Sequence, residues 1–368
     1  MKYYLISGEA SGDLHGSNLM KELKKLDKEA QFRFWGGDLM QAQGGYNVSH
    51  YKERAFMGFA EVVMNLRKVT GFIRQCKADI KANRPDALIL IDYPGFNLRI
   101  AEYAHESGIP VHFYISPQIW AWKEGRINKI KASVDYLYAI LPFEKDFYKK
   151  HDYEVEYVGH PLLDAVKDVE AHSGFRDKWH LGKEHMIALL PGSRKQEIKV
   201  KLPIMISVMN DFPEHQFVLA AAPGIDPEYY QQFTTNPRLK VVQNDTYQLL
   251  LHSEAALVTS GTATLETALF EVPEVVCYKG SAISYAIAKR LVKVKYISLV
   301  NLIMDKEVVR ELIQDDLNYF NLKKELKAIL PGGLKRRPMK DAYIELKKKL
   351  GEGGASERTA TLIYERTK

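Results

Sequence analysis

The first twenty residues, MKYYLISGEASGDLHGSNLM at positions 1–20, contain the pattern on which the fold prediction depends. An apolar run over 3–6 predicts a short buried strand, and SGEASGD at 7–13 predicts a turn. Leu19, Leu23 and Leu26 then recur at helical spacing. The stretch therefore predicts a strand, a glycine-rich turn and a helix, in that order.

The turn itself has an unusual composition for a ligand-binding loop. Such turns usually hold a phosphate at the helix N-terminus, but this one carries two carboxylates, Glu9 and Asp13, and no lysine. It is not a Walker loop, because Gly12 is followed by Asp13 and Leu14 where that loop has Lys and Ser or Thr. It does not match the dinucleotide fingerprint, because Gly8 and Gly12 are four residues apart. Carboxylates repel a diphosphate but accept hydrogen bonds from sugar hydroxyls. We therefore expect a hydroxyl-rich ligand here, with capping of the first helix, the one that follows this turn, as the alternative role of either acid.

The alternation of strand and helix continues along the chain. Apolar runs rich in Val, Ile and Leu, without polar alternation, predict strands that are buried on both faces and hence parallel sheets. The clearest runs are 3–6, 87–91, 111–115, 136–140, 186–190, 216–221, 239–242, 255–259 and 273–278. The predicted fold class is α/β with doubly wound parallel sheets.

The length of 368 residues favours two domains over a single core. The series of strands and helices restarts after YVGHPLLDAV at 157–166, and the segment that follows is polar. We predict two facing Rossmann-like domains over 1–165 and 166–345 with a cleft between them. A final helix within 346–368 is expected to pack back on the first domain.

The composition excludes several classes of protein. With 46% hydrophobic and 27% charged residues, the chain is of the globular type. The two cysteines, Cys76 and Cys277, form no CxxC motif, so neither a disulfide framework nor a zinc site is expected. No secretion signal and no run near the roughly 18 apolar residues of a membrane span is visible. These features predict a cytoplasmic location.

Charge is unevenly distributed along the chain. The segment 279–349 carries 17 Lys and Arg against 8 Asp and Glu, a net charge of +9, whereas the whole chain carries +6. This basic segment predicts an anionic partner surface, either lipid or nucleic acid. No nucleic-acid-binding module is recognisable, so nucleic acid is not expected. Segments 58–75 and 286–299 mix apolar and basic residues, which suits docking on anionic lipid as well as ordinary core packing.

The second half has the phosphate-binding signals that the first half lacks. IALLPGSRKQEI at 187–198 predicts a strand, a glycine turn and then Arg194, whose guanidinium suits a diphosphate. ALVTSGTATLETALFE at 256–271 places Ser260, Gly261 and Thr262 at a helix N-terminus, which favours anions. Glu266 can accept hydrogen bonds from a ribose diol, or can complete a capping box. A nucleotide diphosphate in the second domain and a hydroxyl-rich acceptor in the first indicate a glycosyltransferase that uses a nucleotide sugar.

With these motifs, the chain resembles the lipid-A-disaccharide synthase family, inverting glycosyltransferases of the GT-B architecture. The matching pieces run in order over nearly the whole chain. They are SGEASGDLHG at 7–16, MGFAEV at 57–62, IDYPGFN at 91–97, YISPQIWAW at 114–122, LPFE at 141–144, VGHPL at 158–162, LLPGSR at 189–194, SGTATLE at 260–266, KYISLVNLI at 295–303 and GGASERTA at 353–360.

The resemblance implies a reaction between UDP-2,3-diacylglucosamine and 2,3-diacylglucosamine 1-phosphate. The products are a β-1,6-linked lipid A disaccharide 1-phosphate and UDP. It also implies a peripheral location on the cytoplasmic face of the inner membrane. Neither a cofactor nor a metal is expected, because no Asp-x-Asp motif occurs and fixed positive charge can hold the diphosphate. The sequence leaves open whether the chain is a monomer or a homodimer.

Roles for individual residues follow from the resemblance and from position together. The resemblance assigns the catalytic base to Asp92, for which a turn cap is the alternative, and Glu9, Asp13 and His15 are competing bases. Ser11, Gly12 and Asp13 are assigned to acceptor binding with the rest of their loop. Asn301 is assigned to the nucleotide on the resemblance alone, with an ordinary turn residue as the alternative.

One other enzyme class is an alternative to this function. Another GT-B enzyme acting on UDP-GlcNAc-type sugars, either a transferase or a 2-epimerase, would share the same architecture. For Trp120 and Trp122, packing in the protein core is the expected role, and contact with lipid is the more specific alternative. His160 is expected to have a structural role at the domain junction.

Overall fold

The protein is described by a computed structural model that covers residues 1–54, 66–121, 123–233, 236–281, 285 and 294–368. The MGFAEV motif, Trp122 and parts of both mixed apolar and basic segments lie outside these residues. The chain divides into two compact units. Unit 1 contains Met1–Asp164 and Glu352–Lys368, and unit 2 contains the described residues between Ala165 and Gly351.

Unit 1 is built on a parallel sheet with seven strands in the described residues. They are β1 (Lys2–Ser7), β2 (Gln31–Gly36), β3 (Tyr46–His50), β4 (Ala87–Ile91), β5 (Val111–Tyr114), β6 (Tyr136–Ala139) and β7 (Glu156–Tyr157). Their order across the sheet is β3-β2-β1-β4-β5-β6-β7. The order reverses between β1 and β4, and the carboxyl ends of strands at such a switch point form the ligand site of doubly wound sheets.

The helices that connect these parallel strands begin at the carboxyl edge of the sheet. They are α1 (Ala10–Leu26), α2 (Asp38–Ala42), α3 (Leu66–Asn83), α4 (Pro94–Glu106), α5 (Ile127–Ser133) and α6 (Glu144–Lys149), with 3₁₀ turns at Tyr51–Arg54 and Glu124–Arg126. Helix α7 (Pro161–Val166) contains the boundary between the two units.

Unit 2 repeats the same plan with a six-stranded parallel sheet in the described residues. Its strands are β8 (His185–Leu190), β9 (His215–Ala221), β10 (Leu239–Gln243), β11 (Ser253–Thr259), β12 (Glu274–Tyr278) and β13 (Arg310–Ile313), in the order β10-β9-β8-β11-β12-β13. Its helices are α8 (Phe175–Lys178), α9 (Lys195–Ser207), α10 (Thr246–Leu251), α11 (Thr262–Leu269), α12 (Leu299–Met304), α13 (Tyr319–Ile329) and α14 (Arg336–Leu350), with 3₁₀ turns at Met209–Asp211, Pro227–Phe233 and Gln314–Asp316. The switch point here lies between β8 and β11.

The central strands of both sheets are buried along their length. All residues of β4 and β9 are buried, as are Tyr3–Ser7 in β1. Burial on both faces explains why these strands read as continuous apolar runs. The predicted α/β class with parallel sheets is confirmed. No helix within the described ranges is long and apolar enough to cross a membrane.

The last helix, α15 (Ala355–Thr367), belongs to unit 1 although it follows unit 2 in the chain. The Asp164 carboxylate accepts hydrogen bonds from the backbone N–H groups of Gly354 and, at 2.8 Å, Ser356. The Arg358 guanidinium donates two hydrogen bonds, of 2.9 and 2.7 Å, to the carbonyl oxygen of Val158. Residues 346–350 are the end of α14 in unit 2, so the segment that returns to unit 1 begins at Glu352.

Glu274, at the start of β12, is a buried acid inside unit 2. Its side chain is 0% exposed, and neither carboxyl oxygen has a hydrogen-bond partner among the described residues. Burial, and secondarily the charge of Glu311, raise the pKa of Glu274 well above its usual value. The folded protein therefore holds a proton that the unfolded chain releases above about pH 4.3.

This buried acid makes stability depend on pH with a defined sign. Because the folded state binds the extra proton, the free energy of unfolding falls as pH rises from about 4.3 toward the raised pKa, by up to about 1.4 kcal/mol per pH unit. We expect Glu274→Gln to remove this part of the slope, so that the variant gains stability relative to the native protein as pH rises. Urea unfolding midpoints between about pH 5 and 8 measure the effect. The exposed Glu228→Gln serves as the control, and equal slopes for the native and Glu274→Gln proteins would contradict the prediction.

Candidate active site

The candidate residues of unit 1 meet at the switch point of its sheet. Strands β1 and β4 are neighbours, and Ser7 pairs with Ile91 at their carboxyl ends. The next residues along the two strands, Gly8 and Asp92, therefore begin adjacent turns. This is the edge at which doubly wound sheets bind ligands.

The turn after β4 has a strained backbone. Asp92 and Tyr93 both have positive φ angles, 44° and 52°, which are uncommon for residues with side chains and occur preferentially at functional sites. The buried Asn97 amide stabilises this turn by donating to the carbonyl oxygens of Asp92 at 2.6 Å and Ile91 at 3.3 Å. The position of the Asp92 carboxyl is thus set by its own turn and by Asn97.

The glycines of the first loop allow close packing within the protein. A Cβ atom at Gly8 would lie 2.3 Å from Cγ of Tyr93, so only glycine admits the Tyr93 ring against this loop. A Cβ at Gly12, in the first turn of α1, would lie 3.0 Å from Cβ of Ser7. Ser11 is half-buried in the same turn. At Gly8, the aromatic ring beside Asp92 therefore packs directly against the backbone of the loop.

The charge of Glu9 acts on the Asp92 carboxyl. Glu9 occupies the N-cap position of α1, but its side chain makes no capping hydrogen bond. Asp92 is exposed to solvent, yet the protein atoms around its carboxyl group partly desolvate it. This desolvation, and secondarily the Glu9 charge, raise the pKa of Asp92 to about 7. A carboxylate with a pKa near neutrality suits a general base.

Asp13 is held by the protein's own backbone. Its carboxylate accepts hydrogen bonds from the N–H groups of Gly37 at 2.7 Å, Leu39 at 3.0 Å and Met40 at 3.1 Å, and the residue is buried. Asp13 therefore caps α2, a different helix from the one considered in the sequence analysis. The structure gives this acid a structural role, apart from the Glu9 and Asp92 pair.

His15 lies inside unit 1, with its side chain buried near Asp164 and His160. Burial lowers the pKa of His15 to about 4, partly opposed by the Asp164 charge. His160 is also buried, and its Nδ1 accepts the Leu162 N–H at 3.3 Å. Both rings are uncharged near neutral pH. His160 is thus buried and makes a local hydrogen bond, which agrees with the structural role expected of it. His15 is buried close to it.

Unit 2 gathers its candidate residues at the equivalent place. Strands β8 and β11 are neighbours, with Leu190 paired to Val258 near their carboxyl ends. The PGSR turn and the SGT turn therefore lie side by side. Arg194 is the N-cap residue of α9, and its Nη1 lies 3.3 Å from Glu197 Oε1.

Two further charged residues support Arg194, and the sequence analysis missed both. Lys201 is 2% exposed, and its Nζ lies 3.7 Å from Glu197 Oε2. Burial lowers the pKa of Lys201, opposed by the charge of Glu197. Arg194, Glu197 and Lys201 are spaced three and four residues apart, which places them on one face of a helix. That spacing is the sequence feature from which Glu197 and Lys201 could have been identified.

The SGT turn leads into α11 as expected for an anion-binding helix end. Gly261 is the N-cap residue with a φ of 142°, and the helix begins at Thr262. Glu266 accepts a hydrogen bond of 3.0 Å from the Tyr247 hydroxyl. Since Glu266 is the fifth helical residue, the capping-box alternative does not apply. Burial raises the pKa of Glu266.

Ser260 and Asn301 brace the neighbouring loop. The Ser260 hydroxyl donates to the Ile297 carbonyl at 2.8 Å. The buried Asn301 amide donates to the Val309 carbonyl and to Glu311, both at 2.9 Å, and accepts the N–H groups of Val308 and Val309 at 2.7 and 3.0 Å. The Asn301 amide thus makes four hydrogen bonds to other groups of the protein, which is more than an ordinary turn residue makes. Within the described residues no group of three or more His, Cys, Asp or Glu could hold a metal ion.

The sequence matches a family model over nearly its whole length. The model described as lipid-A-disaccharide synthetase covers residues 3–364. The chain belongs to the lipid-A-disaccharide synthase family. Similar members include the enzyme of that name from Syntrophus aciditrophicus, 38% identical over 97% of this chain and 96% of the relative. The one from Coxiella burnetii is 34% identical over 98% and 97%.

Solved structures share the fold of this lipid-A-disaccharide synthase family member at low identity. UDP-GlcNAc 2-epimerase from Neisseria meningitidis, solved with UDP-GlcNAc, has a TM-score of 0.68 and 12% identity over 99% of this chain and all of its own. The calicheamicin glycosyltransferase has a TM-score of 0.61 and 14% identity, over 99% and 97% of the two chains. These likenesses confirm the predicted GT-B fold. The 2-epimerase alternative is not favoured, because the family match is to the synthase and the epimerases share only the fold.

In this lipid-A-disaccharide synthase family member, a further buried acid, Glu144, lies near the end of β5. Glu144 accepts the N–H groups of Ile140 at 3.0 Å and Leu141 at 2.9 Å, and the Trp120 indole donates to it at 3.1 Å. Burial raises the pKa of Glu144 to about 7. Trp120 is half-buried and contacts the Phe143 ring edge-on. The contacts of Trp120 are those of a packing residue that anchors the loop after β5.

Proposed function

We propose that this chain transfers the diacylglucosaminyl group of UDP-2,3-diacylglucosamine to the 6-hydroxyl of 2,3-diacylglucosamine 1-phosphate. The products are the β-1,6-linked disaccharide 1-phosphate and UDP. The observation that carries the proposal is the family match over residues 3–364. Two switch-point sites of different chemistry, acidic in unit 1 and basic in unit 2, support it.

In the proposed mechanism, unit 1 supplies the base. The Asp92 carboxylate removes the proton of the acceptor hydroxyl, and that oxygen attacks the anomeric carbon of the donor. The bond from this carbon to the diphosphate oxygen breaks, and the configuration inverts. Glu9 adds to the effect of desolvation on the Asp92 pKa and accepts a hydrogen bond from the acceptor sugar. We assign Ser11 and Gly12 to the acceptor side of the same loop and give Asp13 and His15 structural roles.

Unit 2 stabilises the departing UDP. Arg194 and the N-terminus of α11, formed by Gly261 and Thr262, bind the diphosphate as fixed positive charge. Glu197 and Lys201 orient Arg194. Glu266 accepts hydrogen bonds from the ribose diol. Ser260 and Asn301 position the adjoining loop.

The test is a product assay with the purified full chain in detergent micelles. We expect UDP release only when both diacylated sugars are present, together with a disaccharide monophosphate identified by mass spectrometry. UDP release with UDP-GlcNAc alone, or epimerisation of UDP-GlcNAc, would favour the other class of GT-B enzyme.

The basic segment of unit 2 is the proposed membrane contact. Of its residues, Lys324, Lys327 and Arg337 are exposed. We expect the protein to pellet with anionic vesicles at low salt and to be released as salt rises, because each basic residue near the surface contributes about 1 kcal/mol that salt screens. This docking would hold the enzyme at the cytoplasmic face of the inner membrane.

The control compares charge reversals in the two units. Reversing Lys324 and Lys327 to Glu should weaken vesicle binding at low salt, whereas reversing the exposed Lys28 and Lys149 in unit 1 should change it little. Pelleting that is equally strong at all salt concentrations would contradict the electrostatic mechanism.

A further inference from the structure

The loop that follows β5, residues 115–121, lies beside the turn that carries the proposed base. Ile91 pairs with Tyr114 at the carboxyl ends of β4 and β5, and the Asp92 N–H donates to the Tyr114 carbonyl oxygen at 3.1 Å. The next residue, Ile115, has a φ of 66°, which is rare for a β-branched side chain. Both strand ends therefore continue into strained backbone, and such backbone persists only where other contacts hold it.

Helix α6 holds this loop near both of its ends. Near the start of the loop, the hydroxyl groups of Ser116 and Tyr148 form a hydrogen bond of 2.7 Å, and both residues are buried. Near its end, the Trp120 indole N–H donates to Glu144 Oε1 at 3.1 Å. The other carboxylate oxygen, Oε2, accepts two backbone N–H groups that follow β6 directly, at 3.0 and 2.9 Å. Glu144 therefore connects the loop after β5 to the end of β6.

We propose that Glu144 is a positioning residue for the proposed base, and that it acts on the Asp92 turn through Trp120 and the loop after β5. This inference rests on the proposed function, in which Asp92 removes the acceptor proton. Glu144 is fully buried, so its effect on the substrate is indirect. A displaced loop would move the Tyr114 carbonyl oxygen and, with it, the Asp92 backbone. A small displacement of a base from its hydroxyl is enough to slow proton removal.

Two conservative variants remove the same hydrogen bond from opposite sides. Trp120→Phe keeps an aromatic ring beside Phe143, which Trp120 contacts edge-on, but lacks the indole N–H. Glu144→Gln keeps an oxygen for the two backbone N–H groups, but its amide nitrogen cannot accept the indole hydrogen bond. We expect each variant to lower kcat by about 10- to 100-fold, the range for a displaced catalytic group, with unchanged UDP affinity. The double variant should lose no more than either single variant, because both remove one shared contact.

Trp179→Phe is the matched control for Trp120→Phe. Trp179 is also half-buried, and its indole N–H donates to Asp245 Oδ2 at 2.7 Å in unit 2. The control variant therefore loses the same kind of hydrogen bond away from the proposed base, and we expect it to keep the native kcat. UDP affinity and urea unfolding midpoints report whether each variant retains its fold. Equal losses of kcat in Trp120→Phe and Trp179→Phe would overturn the inference.

The Asp92→Asn background separates a positioning role from a merely structural one. If Glu144 acts through Asp92, adding Glu144→Gln or Trp120→Phe to Asp92→Asn should leave the residual single-turnover rate unchanged, because no base remains to be positioned. A loss of the same size in the native and Asp92→Asn backgrounds would show a general structural effect and overturn the positioning role.

The remaining outcomes separate this inference from the proposed function. Failure of the native chain to form disaccharide would refute the proposed function and, with it, this inference. Normal product formation by the native chain together with native kcat in Trp120→Phe would overturn only the positioning role. That result decides the matter even where Glu144→Gln does not fold, since the two variants remove the same hydrogen bond.

Discussion

Asp92→Asn should lower turnover by about 10²- to 10⁴-fold, the usual contribution of a general base. The substitution keeps the shape of the side chain but removes its ability to accept a proton. Asn97 and the neighbouring backbone hold the turn, so the fold and the affinity for UDP should be retained. Single-turnover formation of the disaccharide measures the loss, and UDP binding by calorimetry reports on unit 2.

The pH profile identifies the base more sharply than the rate alone. Because the pKa of Asp92 is raised to about 7, activity of the native protein should rise with pH through that value as the carboxyl loses its proton. Glu9→Gln removes one cause of the raised pKa, so its profile should shift to lower pH. Its main kinetic effect should be a higher KM for the acceptor.

A different outcome would move the base to the first loop. If Asp92→Asn stays active and Glu9→Gln loses nearly all transfer with donor binding intact, Glu9 is the proton acceptor. Asn97→Ala provides a further comparison, since it disturbs the Asp92 turn without removing either acid. It should lower turnover while leaving the pH dependence of the remaining activity in place.

Arg194→Ala should raise the barrier to transfer by about 2–4 kcal/mol, a loss of roughly 30- to 1000-fold, by analogy with the removal of one donor to a developing anion. The reason is that the guanidinium stabilises charge on the leaving diphosphate. UDP affinity should fall as well. Arg194→Lys should recover only part of the activity, because an ammonium group lacks the paired donors of the fork.

Lys199→Ala is the matched control for Arg194→Ala. Lys199 lies on the same helix and is exposed, so the variant loses an equal charge away from the switch point. Near-normal turnover and UDP affinity in Arg194→Ala would refute the assignment of the diphosphate site. Equal losses in both variants would point to the general charge of the helix instead.

Most of the strands that could be predicted are buried along their length, and the edge strand β10 is the exception. The run at 87–91 and the observed β4 coincide, and the other predicted runs differ from their strands by one or two residues at an end. The missed strands are β2, β3, β7 and β13. Strand β3 reads YNVSH and contains one buried residue, β7 has two residues, and β13 reads RELI. Strands β3, β7 and β13 lie at sheet edges that face water, so hydrophobicity does not distinguish them from loops. Strand β2 is largely buried, but Arg33 interrupts its apolar run.

The residues of the candidate site also fall into two groups, those that the sequence could place and those whose contacts it could not predict. Asp92 and Arg194 follow apolar runs directly, so position along the chain was enough to place them at the ends of strands. The partners of Asp13 lie more than twenty residues further along the chain, at 37–40, and only the packing of α1 against the turn after β2 brings them near. The four hydrogen bonds of the Asn301 amide likewise depend on how β13 lies beside α12.

The return of α15 to unit 1 has a consequence for synthesis on the ribosome. Every residue of unit 2 emerges before the helix that receives the Asp164 cap and carries Arg358. The N-terminal sheet can therefore form early, but its final helix docks only after the second unit has been made. The surface of the first unit that α15 covers therefore stays uncovered until residues 355–367 have been made.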